Sequence, residues 1–159
     1  RLPRSTHSAT AHCEMPWGFA LLPYLSCPCH DQSDPHWTNL FNSLYRCPSD
    51  RRRNTDWSYG KSVYPELSAQ ETGGPTWLRL SDLPNAPATV LFAEKTGGSM
   101  ADHFMANFWA EGGEPEVDRK RHGTRSNFLF GDGRVGGTRF ERTYDPAREI
   151  DNWNPETAH

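Results

Sequence analysis

The chain is short of the aliphatic residues that build most protein cores. Leu, Ile, Val and Phe number 25 of 159 residues, about 16%, below the roughly 20% at which disorder becomes common. Disorder also calls for high net charge and few aromatics. Here the net charge is −3 and 12% of residues are aromatic, six of them Trp. The expectation is one folded domain over 1–159, with an aromatic-rich core and much irregular surface. No run of about 18 apolar residues is present, so no segment of these 159 residues is built to span a bilayer. Basic charge is not in excess, and a pI near 6.2 argues against general nucleic-acid binding. The chain opens at Arg1 with neither Met nor a signal-like apolar stretch, and so reads as a processed product or a fragment.

Recognisable catalytic motifs are also missing. There is no G-x-S-x-G elbow, no H-E-x-x-H and no phosphate-binding G-x-x-x-x-G-K-[ST] loop. Asp102 and His103 are neighbours on an expected helix and would point apart. Glu94, at the end of an apolar run, is the most enzyme-like carboxylate. The plainer expectation is a strand-end acid bonded to loop amides, since buried charges are paired. His122 and Asp132 stand ten residues apart, up to ~33 Å of extended chain. They form no dyad unless the chain doubles back. Asp132 is accounted for by a turn and His122 by a nearby structural hydrogen bond. The Arg51–Arg53 run reads as a solvated loop.

The cysteines, Cys13, Cys27, Cys29 and Cys47, lie in the first third of the chain. An even, clustered set suits disulfides in an oxidising compartment. Cys27 and Cys29 are too close in sequence to pair readily, which leaves one to join Cys47 and the other Cys13. Free thiols, or a metal held by Cys27, Cys29, His30 and His12, are the competing readings, although one intervening Pro is tight for a single tetrahedral ion.

Along the chain, residues 1–16 read as an extended lead-in. Trp17–Leu25 forms a short buried helix or turn limited by Pro23. A helix opens at Asp34-Pro35, carries the stripe Trp37, Leu40, Phe41, Leu44, and stops near Arg46 because Pro48 follows. Residues 58–64 form a strand ended by Pro65, and 66–88 are mostly loop. Residues 89–93 form a strand buried on both faces. Ser99–Ala110 is a helix capped by Ser99 and ended by Gly112. Residues 127–130 and 134–137 make a hairpin around a two-residue type I′ Asp132-Gly133 turn. That register sets Phe130 opposite Val135 and Phe128 opposite Gly137. Residues 141–159 are a surface-wrapping tail.

The stretch R-H-G-T-R-S-N-F-L-F-G-D-G-R-V, Arg121 to Val135, resembles the H-x9-D-G C-terminal motif of type II secretion pseudopilin-like proteins with prepilin-type precursors. His122, Asp132 and Gly133 match it position for position. Three further stretches resemble the same family in the same order: Trp17 to Leu25, Y-R-C-P-S-D from Tyr45 to Asp50 with Ser58-Tyr59 after it, and A-T-V-L-F-A-E from Ala88 to Glu94. The resemblance implies an α+β pilin-like head with a small antiparallel sheet, short helices and long loops. It also implies a long N-terminal hydrophobic helix, absent from these residues, that anchors the subunit in a membrane and covers a sheet face. Arg134 departs from the family pattern after D-G, which weakens a metal role there, and no dense Asp/Asn run suggests calcium.

The expected function is a non-enzymatic structural subunit, periplasmic or extracellular and membrane-anchored. It would self-assemble into a filament or dock with other subunits of an envelope complex, without cofactor, metal or nucleic acid. The alternative is a small secreted metal-binding module or enzyme using Cys27, Cys29 and His30. A third reading, glycan binding, requires exposed Trp.

Overall fold

The computed structural model describes residues 1–29, 31–52, 56–98 and 100–159. It is an α+β fold built on one five-stranded sheet of order β3-β1-β2-β4-β5. The strands are β1 (Tyr59–Ser62), β2 (Val90–Glu94), β3 (His103–Phe104), β4 (Ser126–Phe130) and β5 (Val135–Thr138). Neighbours are antiparallel except β3, which runs parallel to β1. A two-stranded ribbon, β6 (Tyr144–Asp145) with β7 (Ile150–Asp151), lies outside the sheet. The α-helices are short: α1 (Thr6–Ala11), α2 (Trp17–Ala20), α3 (Pro35–Ser43) and α4 (Ala69–Thr72). No helix among the described residues is long and apolar enough to cross a membrane.

Aromatic rings supply what the aliphatics do not. All six Trp are buried. Trp153, fully enclosed, meets Phe104 and Trp109 edge-on at 5.1 and 4.8 Å, the arrangement ring quadrupoles favour. A second cluster gathers Trp17, Trp37, Phe41, Tyr45 and Trp57. The two clusters meet at Phe92, whose ring lies 5.1 Å from that of Trp17. With every indole buried, the exposed Trp that glycan binding requires do not exist.

Helix α3 forms as its sequence dictates: Asp34 Oδ1 accepts the His36 N–H at the N-cap, and Trp37 and Phe41 face inward. Leu44, however, is about half exposed. Segments Trp17–Ala20 and Leu22–Tyr24 form the expected short helical turns.

Four expectations change. The lead-in is not merely extended: it carries α1, and Arg4, Ser5 and Ala9 are buried. The Ser5 N–H and hydroxyl both donate to Glu66, while the Thr6 N–H and hydroxyl donate to Asp102. Two distant carboxylates thereby hold a polar segment that has no apolar stripe of its own. Secondly, residues 103–104 pair with β1, and a 3-10 helix, Ala106–Glu111, replaces the expected helix. Phe104 is buried while Phe108 is about half exposed, so the two do not share a face. The stop at Gly112 holds, with φ +97°. The proposed cap, Ser99, lies outside the described residues.

Thirdly, the 141–159 tail contributes Tyr144, Trp153 and Ala158 to the interior and is not a surface wrap. Lastly, the hairpin register is one residue away from the expectation: Leu129 faces Val135 and Phe128 faces Gly136. Between Phe130 and Val135 only Gly133 has positive φ, +86°. The connection is therefore a three-residue loop, Gly131-Asp132-Gly133, ending in a left-handed glycine, rather than a type I′ pair. The change matters because a one-residue slip exchanges sheet faces. Phe128 and Phe130 turn inward, and Leu129 and Val135 turn to the other face.

Candidate functional site

Three segments far apart in sequence deliver side chains to the β2 end of the sheet. Cys47 follows α3 and is fixed by a tight turn, in which the Asp50 N–H donates to its carbonyl. Asp50 in turn accepts from Arg52 and from the Ser58 hydroxyl. Burial alone would raise the Asp50 pKa. The hydrogen bonds from Arg52 and Ser58 and the Arg121 charge outweigh it and hold the carboxyl well below the usual carboxylate range. Arg52 is thus committed to a network and is not simply a solvated loop residue; Arg53 lies outside the described residues.

Glu94 ends β2 and is fully buried. Its Oε2 accepts the Asn127 N–H at 2.8 Å and the Ser126 hydroxyl at 3.2 Å. That much is the expected strand-end acid, though its partners are an amide and a hydroxyl of β4 rather than loop amides. Its Oε1, however, faces His122 Nε2 at 2.8 Å.

His122 is placed by its neighbour. The Arg121 guanidinium, only 3% exposed, donates to the carbonyls of Ser58 and Lys95 and to Asp118. This clamp at the β1–β2 end sets the next residue over Glu94. His122 Nε2 also lies 3.6 Å from Cys47 Sγ. The ligand atoms of Cys47, Glu94 and His122 all fall within 4.8 Å of one another. Tyr59 borders the group. Burial first, then the charge of and hydrogen bond to Cys47, push its phenol up to about 12. The Cys47 thiol is raised by burial and by its hydrogen bond to Glu94.

Asp132 takes no part: its Oδ1 accepts the Arg134 N–H in the hairpin loop, beside Gly133. The Arg134 guanidinium lies 3.9 Å from the Phe130 ring centroid and covers its face. Of the three motif residues, His122 alone enters the cluster, while Asp132 and Gly133 shape the loop.

The four cysteines are free thiols, and the expected bridge from Cys47 to Cys27 or Cys29 is not formed. Cys47 Sγ is turned to His122 instead, and Cys13 is exposed. Cys27 and Cys29, expected to be too close in sequence to bridge to each other, form no bridge, although their sulfurs lie 3.0 Å apart. Burial, followed by the Cys27 hydrogen bond, pushes Cys29 up to about 11. His30 of the alternative metal set lies outside the described residues, and His12 Nδ1 is taken up by the Ser8 carbonyl. Asp102 and His103 do touch, at 3.2 Å: Asp102 lies in a bend just before β3 and not on a helix.

Beside the cluster an apolar groove of about 350 Å³ runs along one sheet face. Trp17, Leu21, Tyr59, Phe92, Leu129 and Val135 line it. Tyr59 and Asn127 belong to both features.

Fold and site together define a small α+β protein with an aromatic core, a half-open sheet face and a Cys-Glu-His cluster at the end of its central strand. No protein-family model, curated protein or solved structure matches the chain.

In the sequence Glu94 and His122 stand out singly, His122 by its spacing from Asp132 and Cys47 by its company with three other cysteines. A usable signal was present. Cys47, Glu94 and His122 each come from a different one of the quoted motif stretches.

Proposed function

We propose that this chain is a pilin-like head, an extracytoplasmic structural subunit that joins a filament or an envelope complex. The observation that carries the reading is the convergence of the four motif stretches on one sheet. Ala88–Glu94 supplies β2, and Arg121–Val135 supplies β4 and its loop. Tyr45–Asp50 reaches both through Cys47, and Trp17–Leu25 packs on Phe92 through Trp17. Stretches that resemble one family in order along the chain also form one structural unit, as a shared fold requires.

The sheet itself supports an assembly role. One face is covered by the Trp153 cluster. The other is covered by aromatics only in part and leaves Leu129 half-buried and Val135 67% exposed in the groove. The occupant this reading assigns to the strip is an apolar helix of the assembly, whose side chains would cover the exposed Val135.

The test is fractionation of native cells, with Val135→Asp as a groove variant whose fold is checked by near-UV circular dichroism. The expected result is that the natural protein sediments with envelope or sheared-filament material and that the variant moves to the soluble fraction. Natural protein found only as a free monomer overturns the reading.

A further inference from the structure

The geometry points to a metal site: Cys47, Glu94 and His122 form a three-ligand centre for a zinc-type divalent cation, open to solvent at its fourth position. The inference does not depend on the assembly reading.

Two uses of a Cys-His-acid group compete. In a nucleophilic relay the acid holds one ring nitrogen while the nucleophile meets the other, so that a proton passes through the imidazole. Here Cys47 Sγ and Glu94 Oε1 both face the same nitrogen, Nε2, at 3.6 and 2.8 Å. One nitrogen cannot serve both ends of a relay. Three donor atoms gathered within 4.8 Å of one another are instead what a cation needs. A sulfur, an imidazole nitrogen and a carboxylate oxygen are each ordinary zinc donors, and three protein ligands with an open position is the pattern of reactive rather than purely structural zinc.

The three donor atoms lie within 4.8 Å of one another, close to the spacing of a tetrahedral centre. Ligand bonds of about 2.0–2.3 Å in a tetrahedron separate donors by about 3.3–3.7 Å. The Cys47–His122 separation is already there. The His122–Glu94 contact is hydrogen-bond length and opens by roughly half an ångström when the cation replaces the shared proton. Binding releases the Cys47 thiol proton and displaces the proton held between His122 Nε2 and Glu94 Oε1, to solvent or to Nδ1, so that sulfur, imidazole nitrogen and carboxylate oxygen each present a lone pair.

The surroundings orient these ligands. The Ser126 hydroxyl and Asn127 N–H hold Glu94 Oε2, leaving Oε1 free to turn inward. Such outer hydrogen bonds fix ligand direction. Cys47 and Glu94 are buried, while the His122 side chain is 34% exposed, so the cation reaches the centre from the His122 side. The nearest guanidinium, Arg121, is compensated by Asp118 at 3.0 Å and Asp50 at 3.6 Å.

The test uses the purified full chain loaded with Zn²⁺, desalted and measured by elemental mass spectrometry. A Co²⁺-loaded sample is read for thiolate charge-transfer absorbance. The expected result is one ion per chain, a cobalt–thiolate band, and an affinity about 100-fold or more weaker in His122→Ala and Glu94→Gln, since even outer-shell losses cost 10–100-fold. His122 is partly exposed, so its variant keeps the fold, which near-UV circular dichroism confirms. Cys47→Ser should abolish the band, and the double variant C27S/C29S should leave it intact. No retained ion in the natural protein, undiminished loading in His122→Ala, or loss of the band in C27S/C29S alone would each overturn the assignment.

Discussion

His122 is bonded to Glu94, 28 positions earlier in the chain, through Nε2 and Oε1 at 2.8 Å. Asp132, ten positions later, accepts the Arg134 N–H of its own loop and pairs with the Arg134 side chain at 3.9 Å. The His and Asp of the motif therefore do separate work. One faces a buried carboxylate and a thiol, and the other shapes a turn. Four consequences can be measured.

All four cysteines should titrate as thiols in denaturant without prior reduction. In the native protein Cys13 should react first and Cys29 and Cys47 slowly, because Cys13 is exposed and the other two are buried with raised pKa values. A thiol count of zero on the unreduced chain would restore the disulfide framework.

Trp153→Ala should destabilise the chain by about 3–5 kcal/mol, the usual cost of deleting a buried large aromatic. Its ring is fully enclosed between Phe104 and Trp109. Removal of residues 141–159 should abolish the cooperative urea transition altogether. A truncated chain with an unchanged urea midpoint would return the tail to the surface.

Gly131→Ala should cost roughly 1–3 kcal/mol through overpacking. A Cβ there would stand 2.5 Å from Leu83 Cδ1 and 2.9 Å from the Ala86 carbonyl oxygen. The side chain can rotate away, but the carbonyl cannot. Gly123→Ala serves as the comparison: it has space but positive φ, +78°, so its loss should reflect backbone strain alone. Equal urea midpoints for G131A and the natural protein would show that the 83–86 loop yields freely.

Acid should weaken the fold through Asp50 and Asp102. For Asp102 burial opposes ionisation, but the hydrogen bonds from His103 and Thr6 prevail and its pKa is lowered, as is that of Asp50. Both are ionised in folded and unfolded chains above an unfolded value of about 3.9, and their stabilisation is complete there. Below that the unfolded chain takes up protons first, so the contribution falls as pH drops towards the folded values. Urea midpoints between pH 6 and pH 3 should fall less steeply in Asp50→Asn than in the natural protein. Parallel slopes would remove Asp50 from the account.

The elements that could be read in advance are those decided within a few residues. Asp34-Pro35 starts α3 because the Asp34 carboxylate accepts from His36 and Pro35 presets φ. The apolar residues 128–130 before a Gly-Asp-Gly turn, the apolar run of 89–93 and the stop at Gly112 likewise express local backbone chemistry. The hairpin loop was legible as a place but not as a register. Asp132-Gly133 suits both two- and three-residue loops, and Gly131 takes the longer one where it fits against Ala86.

On its own, the sequence determined a mixed fold with an aromatic interior, its main helix, and the strands that carry Glu94 and the loop of Asp132. Only the tertiary structure decided that Cys47 meets His122 rather than another cysteine, that Ser5 and Thr6 are bound by Glu66 and Asp102, and that Trp153 fills the centre. These contacts span tens of residues. Loop closure costs depend only weakly on which distant partners meet, so the choice falls to packing and hydrogen-bond satisfaction over the whole chain, which no short window of sequence contains.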